Sequence, residues 1–524
     1  MASSRVLELV SRLRLPSRVA RLVRRPPRWL PLTLLLCAIV VSYVFIVTAG
    51  HFTHWPLWNT TYDEMAEGFR AGHLYLLLQP KPELLAAPHP FDRAMMNYWY
   101  WDASLYKGHF YFYWGPLPAV ILAGLKSALS WNFLVGDQYF VFAFYVIHLI
   151  AGTLLLVRMA RHGFPELPRG LLVLGVLVFA YANPTPFIIA TPGTYQAAII
   201  GGQAFLLAGM VFAADALLAP ADRRPPRRLL VAAGCCWGLG IATRASIVLP
   251  VPLIILLTAF LIARPERAGS LWLQRLRAML WLGAPAGVFV VALLIYNRVR
   301  FDSYLEFGTG YMMTYLEFKS SLVNLLPNLY TYLVRPMVMS CRFPFLTAPF
   351  NLGLRAFPKG FPVPSNYLID EPVAGLLLTT PWIWFLPVAG VFAFRSARSA
   401  LRARSAGAPA DPRAPITLWF LGSLAVAGTV AALPIIAIYS TTMRYLVDFS
   451  SGLLLLATWG AWSLYTSVRD RLWPRRVVTV AIVGVAIVTI MIGVLLGMSG
   501  YNDMFKNQNP PLFERMARAF SMCR

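Results

Sequence analysis

The chain reads as an all-α polytopic membrane protein of about 11 transmembrane helices (10–13), with two large loops gathered on one face. Three observations predict this. Of 524 residues, 58% are hydrophobic and 13% charged, about half the roughly 25% charged share of soluble domains. Apolar runs of membrane length recur along the chain, and a ~30 Å hydrocarbon core needs ~20 helical residues. The basic residues collect in short loops between those runs, as the positive-inside rule requires. A net charge of +24 would suggest nucleic acid in a soluble protein; here loop placement accounts for it, and no nucleic-acid partner is expected. Arginine exceeds lysine 40 to 6, which hints at a GC-rich bacterial genome.

The elements follow in order. Residues 1–30 are a basic cytoplasmic N-terminus. The apolar run 31–49, about 19 residues long, exceeds the ~7–15 of a signal-peptide core and reads as an uncleaved anchor. Loop 50–137 then lies outside. The basic loops 158–169, 222–228, 264–277, 395–413 and 469–476 all fall on the cytoplasmic side only if one crossing separates 50–137 from the first of them. The stretch 116–134, with Pro116, Pro118 and Lys126, is therefore a juxtamembrane helix along the outer surface. The remaining spans are 139–157, 171–183, 196–218, 229–244, 247–263, 278–296, 376–394, 415–432, 446–466 and 477–498. A second large loop occupies 297–375, and 499–524 is a short outer tail. The alternative is twelve spans, with one or two basic loops on the wrong side.

Loops 50–137 and 297–375 hold 12 of the 22 acidic residues and are dense in Trp and Tyr, which serve either as an interface belt or as a cleft for sugar rings. Cys37, Cys235 and Cys236 fall in apolar spans as small hydrophobes. Cys341 and Cys523 share the outer side, and whether they pair is open. No Cys/His pattern of zinc type, Walker-type phosphate loop or dinucleotide fingerprint is present.

Several residues could carry chemistry. Tyr62-Asp63-Glu64 lies just beyond the first span. Adjacent helical side chains point ~100° apart, so one carboxylate can face a cleft as general base while the other braces it or binds a cation. The plainer account is an acidic first turn capped by Asn59, Thr60 or Thr61. In the segment 98–116, Asp102 and Lys107 could bind hydroxyls or a phosphate, or form a turn with a solvated lysine, and His109–Trp114 alternates as a short strand does. Arg244, Arg298 and Arg444 (with Arg300) sit at outer span ends against the positive-inside bias. Guanidinium groups grip phosphate bidentately; the competing account pairs them with Asp302, Glu306 or, for Arg444, with Asp448 four residues on.

This arrangement of basic N-terminus, one span, an outer loop opening on an acidic pair, and amphipathic juxtamembrane helices resembles the GT-C superfamily of membrane glycosyltransferases, above all its bacterial protein mannosyltransferase and aminoarabinose transferase types. The resemblance implies a GT-C core over 31–296 and a variable loop at 297–375, followed by C-terminal helices over 376–498. It implies transfer from a polyprenyl-phosphate-linked sugar to a glycan, lipid or protein acceptor on the extracytoplasmic face. Asp63 would be the base and Glu64 its acidic neighbour, with Tyr62, Asp102, Lys107, Arg244, Arg298 and Arg444 binding substrate. Many relatives carry a further Asp in the outer loop after the third span, and this chain has none there. No cofactor is therefore assigned, and a divalent cation is left open. A transporter or lipid-linked-sugar flippase is the rival reading.

Overall fold

The computed structural model describes residues 30–220, 223–267, 269–314, 320–350, 357–365, 367–369, 371–405 and 413–523. The basic segment 1–29 lies outside them. The chain divides into two units, Met1–Ser42 and Tyr43–Arg524. The described part of the first unit is the start of helix α1 (Leu30–Val47), on which Cys37 is exposed rather than packed.

The second unit is mostly helical. After α1 come α2 (Thr61–Arg70), a hairpin of β1 (Ala103–Tyr106) and β2 (His109–Phe112), then α3 (Leu117–Leu129) and α4 (Gln138–Gly163). Next are α5 (Arg169–Tyr181), α6 (Thr194–Leu217), α7 (Arg227–Thr243), α8 (Pro250–Ile262) and α9 (Leu271–Phe301). The C-terminal part holds α10 (Leu386–Ser405), α11 (Ala414–Thr429), α12 (Val447–Val468), α13 (Leu472–Ser499) and α14 (Pro510–Phe520).

The expected spans overlap helices, with 376–394 divided among three elements. Among the described residues, seven helices are long and apolar enough to cross a membrane: α1, α4, α6, α9, α13, and the stretches holding α8 and α11. The others fall short for separate reasons. α5 and α7 have 13 and 17 residues, α10 ends in an arginine-rich half, and α12 is rich in Ser, Thr and Trp. The expected span 376–394 is broken, since Pro381 lacks the N–H needed to continue the short helix Leu376–Thr379.

Helix α6 is the centre of the bundle, with 19 of its 24 residues buried, and packs on α4, α7 and α12. Helix α9, 31 residues long, extends roughly 46 Å and so outreaches the hydrocarbon core, which puts its last turns among the loops. Helix α3, with 13 residues, spans only about 20 Å. It packs on α2 through Leu122 and Lys126 while leaving Val120, Ile121 and Leu125 exposed, as a helix lying on a membrane surface does.

The β-hairpin closes through Lys107 and Gly108, both at positive φ (48° and 78°), the conformation a two-residue turn needs to match strand twist. It supplies the short strand expected at His109. Cys341 and Cys523 are joined by a disulfide across 182 residues. The bond seats α14 against the loop 320–350, where the Phe343 ring lies 5.4 Å from that of Phe513 at a tilt of 59°, and Asn509 Nδ2 donates to Ala49 O at 2.8 Å.

Candidate functional site

Helix α2 begins at Thr61 with the acidic pair in its first turn. Positions 63, 67 and 70 form one stripe facing α3. Asp63 Oδ1 accepts from Lys126 Nζ at 2.6 Å and from Val135 N at 3.0 Å, with its side chain 6% exposed. Lys126, 2% exposed, also meets Glu67 at 2.7 Å, and Glu67 binds Arg70 at 2.9 Å. Glu64, a quarter turn round, is half-buried and accepts from Tyr100 Oη at 2.6 Å and Thr60 Oγ1 at 2.9 Å. The helix thus divides the pair: Asp63 is spent on a buried lysine, and Glu64 faces the β-hairpin.

Tyr62 is fully buried, and its backbone N donates to Asp137 Oδ1 at 3.2 Å. Asp137 Oδ2 accepts from Thr194 Oγ1 at 2.6 Å, tying α2 to α6. Burial pushes the Asp137 carboxyl up to about 6, against the pull of the Thr194 hydroxyl and the Tyr62 amide. Sequence reasoning used Asp137 only as a loop boundary; the available signal was an acid abutting an apolar span.

Lys107 and Arg298 lie apart from these groups, on an exposed corner around Asp302. Lys107 Nζ lies 2.5 Å and Arg298 3.6 Å from that carboxylate, and all three side chains are about half exposed or more. Asp102 stands at the head of the hairpin in left-handed backbone (φ 63°), which Asp tolerates. The Tyr113 hydroxyl is held well above its ordinary value, by burial first, then by Tyr195 and the Asp102 charge.

Arg244 and Arg444 converge. Arg244 places Nη2 2.8 Å and Nε 3.2 Å from Asp448, itself wholly buried. Arg444 pairs with Glu371 and lies 4.0 Å over the Tyr195 ring. Both guanidiniums approach the Tyr445 ring, at 5.5 and 5.6 Å. Burial alone would lower the Arg444 guanidinium, and the Glu371 charge more than offsets it. The Arg444–Asp448 pair, the competing account of Arg444, does not form. Residues Met443–Leu446 are a tighter 3₁₀ turn, and α12 starts only at Val447, so the two positions lack a common α-helical face.

A cavity of about 270 Å³ opens here, lined by Tyr113, Trp114, Arg244, Tyr296, Asn297 and Arg300. Arg300 is 4% exposed, stacks 3.8 Å over the Tyr296 ring, and donates to Phe112 O and Asn297 Oδ1. Arg298 and Arg300 sit ~200° apart on α9, so one faces solvent and the other the cavity. The spacing 296, 297, 300, a polar stripe at i, i+1, i+4 on an apolar helix, was the signal for Arg300. Three donors on this wall are buried without partners among the described residues: Arg300 Nε, Trp114 Nε1 and Tyr296 Oη. Gly115 lets the chain reach α7, since a Cβ there would lie 2.3 Å from Ala242 O and 2.6 Å from Thr243 O. Sharing Pro116, Leu293 and Tyr296 as common wall is an apolar groove of about 520 Å³, with Phe69, Val120 and Phe289 along it.

Among the described residues no three His, Cys, Asp or Glu side chains are grouped to hold a metal ion. The donor set does not suit one, because Asp63, Glu371 and Asp448 are each already neutralised by a lysine or arginine.

No protein family's sequence model matches the chain, and no curated protein matches it. Among solved structures it is similar to the Archaeoglobus fulgidus oligosaccharyltransferase in the apo form, with 12% identity and a TM-score of 0.48 over 95% of this chain and 60% of that one. It is also similar to the same enzyme tethered to an acceptor peptide containing the NVT sequon via a disulfide, with 11% identity and a TM-score of 0.43 over 95% and 59%. The chain thus spans about 60% of the length of those structures.

Proposed function

We propose that the protein is an integral-membrane glycosyltransferase that takes its sugar from a polyprenyl-phosphate donor. One observation carries the reading: an apolar groove opening on the surface beside α3 adjoins a cavity whose wall holds Arg300 Nε, Trp114 Nε1 and Tyr296 Oη without partners among the described residues. A prenyl chain fits the first and a phosphate the second. Unpaired buried donors cost stability, and an anionic oxygen would satisfy them.

On this reading the donor phosphate meets Arg300, Trp114 and Tyr296, with Arg244 beside them. Asp102 takes the proton of the acceptor hydroxyl. The acceptor oxygen then bonds to the anomeric carbon as the bond from that carbon to phosphate oxygen breaks. The phosphate leaves with the electron pair, and the sugar inverts. Charge developing on the leaving oxygen is met by fixed donors. Asp102 is chosen over Asp63 because the hairpin register, Ala103 against Phe112, sets it opposite Tyr113 of the cavity wall, whereas the Asp63 carboxylate is engaged by Lys126 and the Val135 amide. Asp63 and Glu64 then act as positioning residues, holding α2 to α3 and to the hairpin. Lys107 and Arg298 take no part, being committed to Asp302 at the surface. The reading also keeps eleven crossings, the GT-C-like core over 31–296, and both large loops on the extracytoplasmic side of a bacterial plasma membrane.

The test is transfer in liposomes from a panel of radiolabelled polyprenyl-phosphate sugars to a crude envelope-glycan fraction. Transfer by the wild type that is lost in folded Asp102→Asn supports enzyme and base together. Labelled lipid moving between leaflets with no transfer would favour the flippase reading instead.

A further inference from the structure

A second cavity, of about 180 Å³, is walled by Tyr195, which receives a 2.9 Å hydrogen bond from Tyr113 of the first cavity. Its lining differs from the donor side. Trp58 is half-buried and Asn59 exposed, with Gln196, Glu371 and Arg444 beside them. The carboxylate and the guanidinium neutralise each other, so the chamber has no net charge to offer a phosphate.

Its polar groups are nevertheless unspent. Among the described residues the Gln196 amide, at 9% exposure, makes no hydrogen bond, and Arg444 Nε is buried without a partner. Asn59 uses only its Oδ1, accepting from Thr194 N at 3.4 Å, which leaves its NH₂ free. Position 193 is built for this wall, since a Cβ on Gly193 would lie 2.6 Å from Asn59 Oδ1 and 2.7 Å from Trp58 Cδ1. An indole face, two amides and an internally neutral ion pair form a set that suits an uncharged ring carrying many hydroxyls.

We infer that this chamber is the acceptor subsite and that it takes a neutral sugar residue, which makes the acceptor a glycan rather than a peptide or a lipid headgroup. The inference rests on the glycosyltransferase reading and deepens it. Donor and acceptor approach from two cavities and meet at the Tyr113–Tyr195 pair, with Asp102 acting on Tyr113.

The test is direct binding to the full-length protein in detergent, with maltohexaose, isomaltohexaose, mannohexaose and arabinohexaose as sugar probes and decaprenyl phosphate as a separate probe. At least one oligosaccharide binds the wild type, and Trp58→Ala and Gln196→Ala each weaken it tenfold or more. Decaprenyl phosphate affinity stays within twofold in both variants. Gly193→Ala, which pushes on Trp58 and Asn59, weakens the sugar likewise. If Trp58→Ala is not monodisperse, Gln196→Ala carries the test. Sugar binding unchanged in these variants, or absent from the wild type, overturns the inference. Failure of the wild type to bind decaprenyl phosphate, with sugar binding intact, overturns the donor reading and leaves the subsite standing.

Discussion

Asp448 receives both contacts from Arg244, 204 residues away in sequence, and none from Arg444, its neighbour four residues back. The pair stitches the end of α7 to the first turn of α12, with Ser246 Oγ adding a 2.9 Å hydrogen bond. Removing one member of a buried pair strands the other charge, at about 3–5 kcal/mol. Arg244→Gln should therefore lower thermal stability sharply, and Arg244→Gln with Asp448→Asn should recover most of the loss. Melting curves of the four proteins check this; if the double variant is no better than the single, the pair is not what holds the segment.

The two acids of loop 50–137 should separate by readout. Asp63→Asn leaves Lys126 with Glu67 alone, so it should melt earlier while keeping kcat within about tenfold of wild type. Asp102→Asn, which keeps a residue that tolerates left-handed backbone, should stay folded and lose transfer by about 10²–10⁴, the usual worth of a general base. The opposite assignment of melting and activity defects would return the base to Asp63.

Asp137 should leave a mark on the pH dependence of stability. Its carboxyl is raised to about 6 when folded. Between about 4 and 6 the folded state therefore holds a proton that the unfolded chain has shed. Stability contributed by that proton falls as pH rises through this window and levels off above it. The shift corresponds to about 3 kcal/mol at most. Asp137→Asn can keep both hydrogen bonds, with its carbonyl toward the Tyr62 amide and its NH₂ toward Thr194. It should flatten the window and be more stable than wild type at neutral pH. Denaturation of both proteins at pH 4.5 and 7 measures the difference.

The Cys341–Cys523 bond closes a long loop, and bonds of that kind typically contribute about 2–4 kcal/mol. Cys341→Ser should loosen α14 from Phe343 and speed tryptic cleavage after Arg515 and Arg518. Cleavage at the wild-type rate would mean that the aromatic packing suffices without the sulfurs.

Sequence periodicity located the helices, because an apolar run of membrane length has few other fates. It also located the strand at His109, whose alternating aromatics are a local signal, but not its partner Ala103–Tyr106 or the Lys107-Gly108 turn that joins them. Long-range choices were not legible. Nothing local tells Asp63 that Lys126 will meet it through α3, or that Asp448 will take Arg244 from α7. Arg298 and Arg300 are two residues apart, and only the rotation of α9 decides which faces the cavity. The disulfide was left open for the same reason, because spacing in sequence says nothing of two sulfurs brought together by a folded tail.

The seat of the tail carries information about sidedness. A chain that touches itself on one side of a membrane has crossed an even number of times between the two points. Asn509 donates to Ala49, and Cys341 is bonded to Cys523. The interval 49–509 must therefore contain an even count of crossings, and so must 341–523. On the eleven-crossing reading proposed above, helices α4 through α13 would supply ten in the first interval, and α10 through α13 four in the second. A crossing made by 116–134 would turn the first count odd and part Asn509 from Ala49. One amide and one pair of sulfurs thus act as a parity check on the whole bundle, which any single helix gained or lost in those intervals would violate.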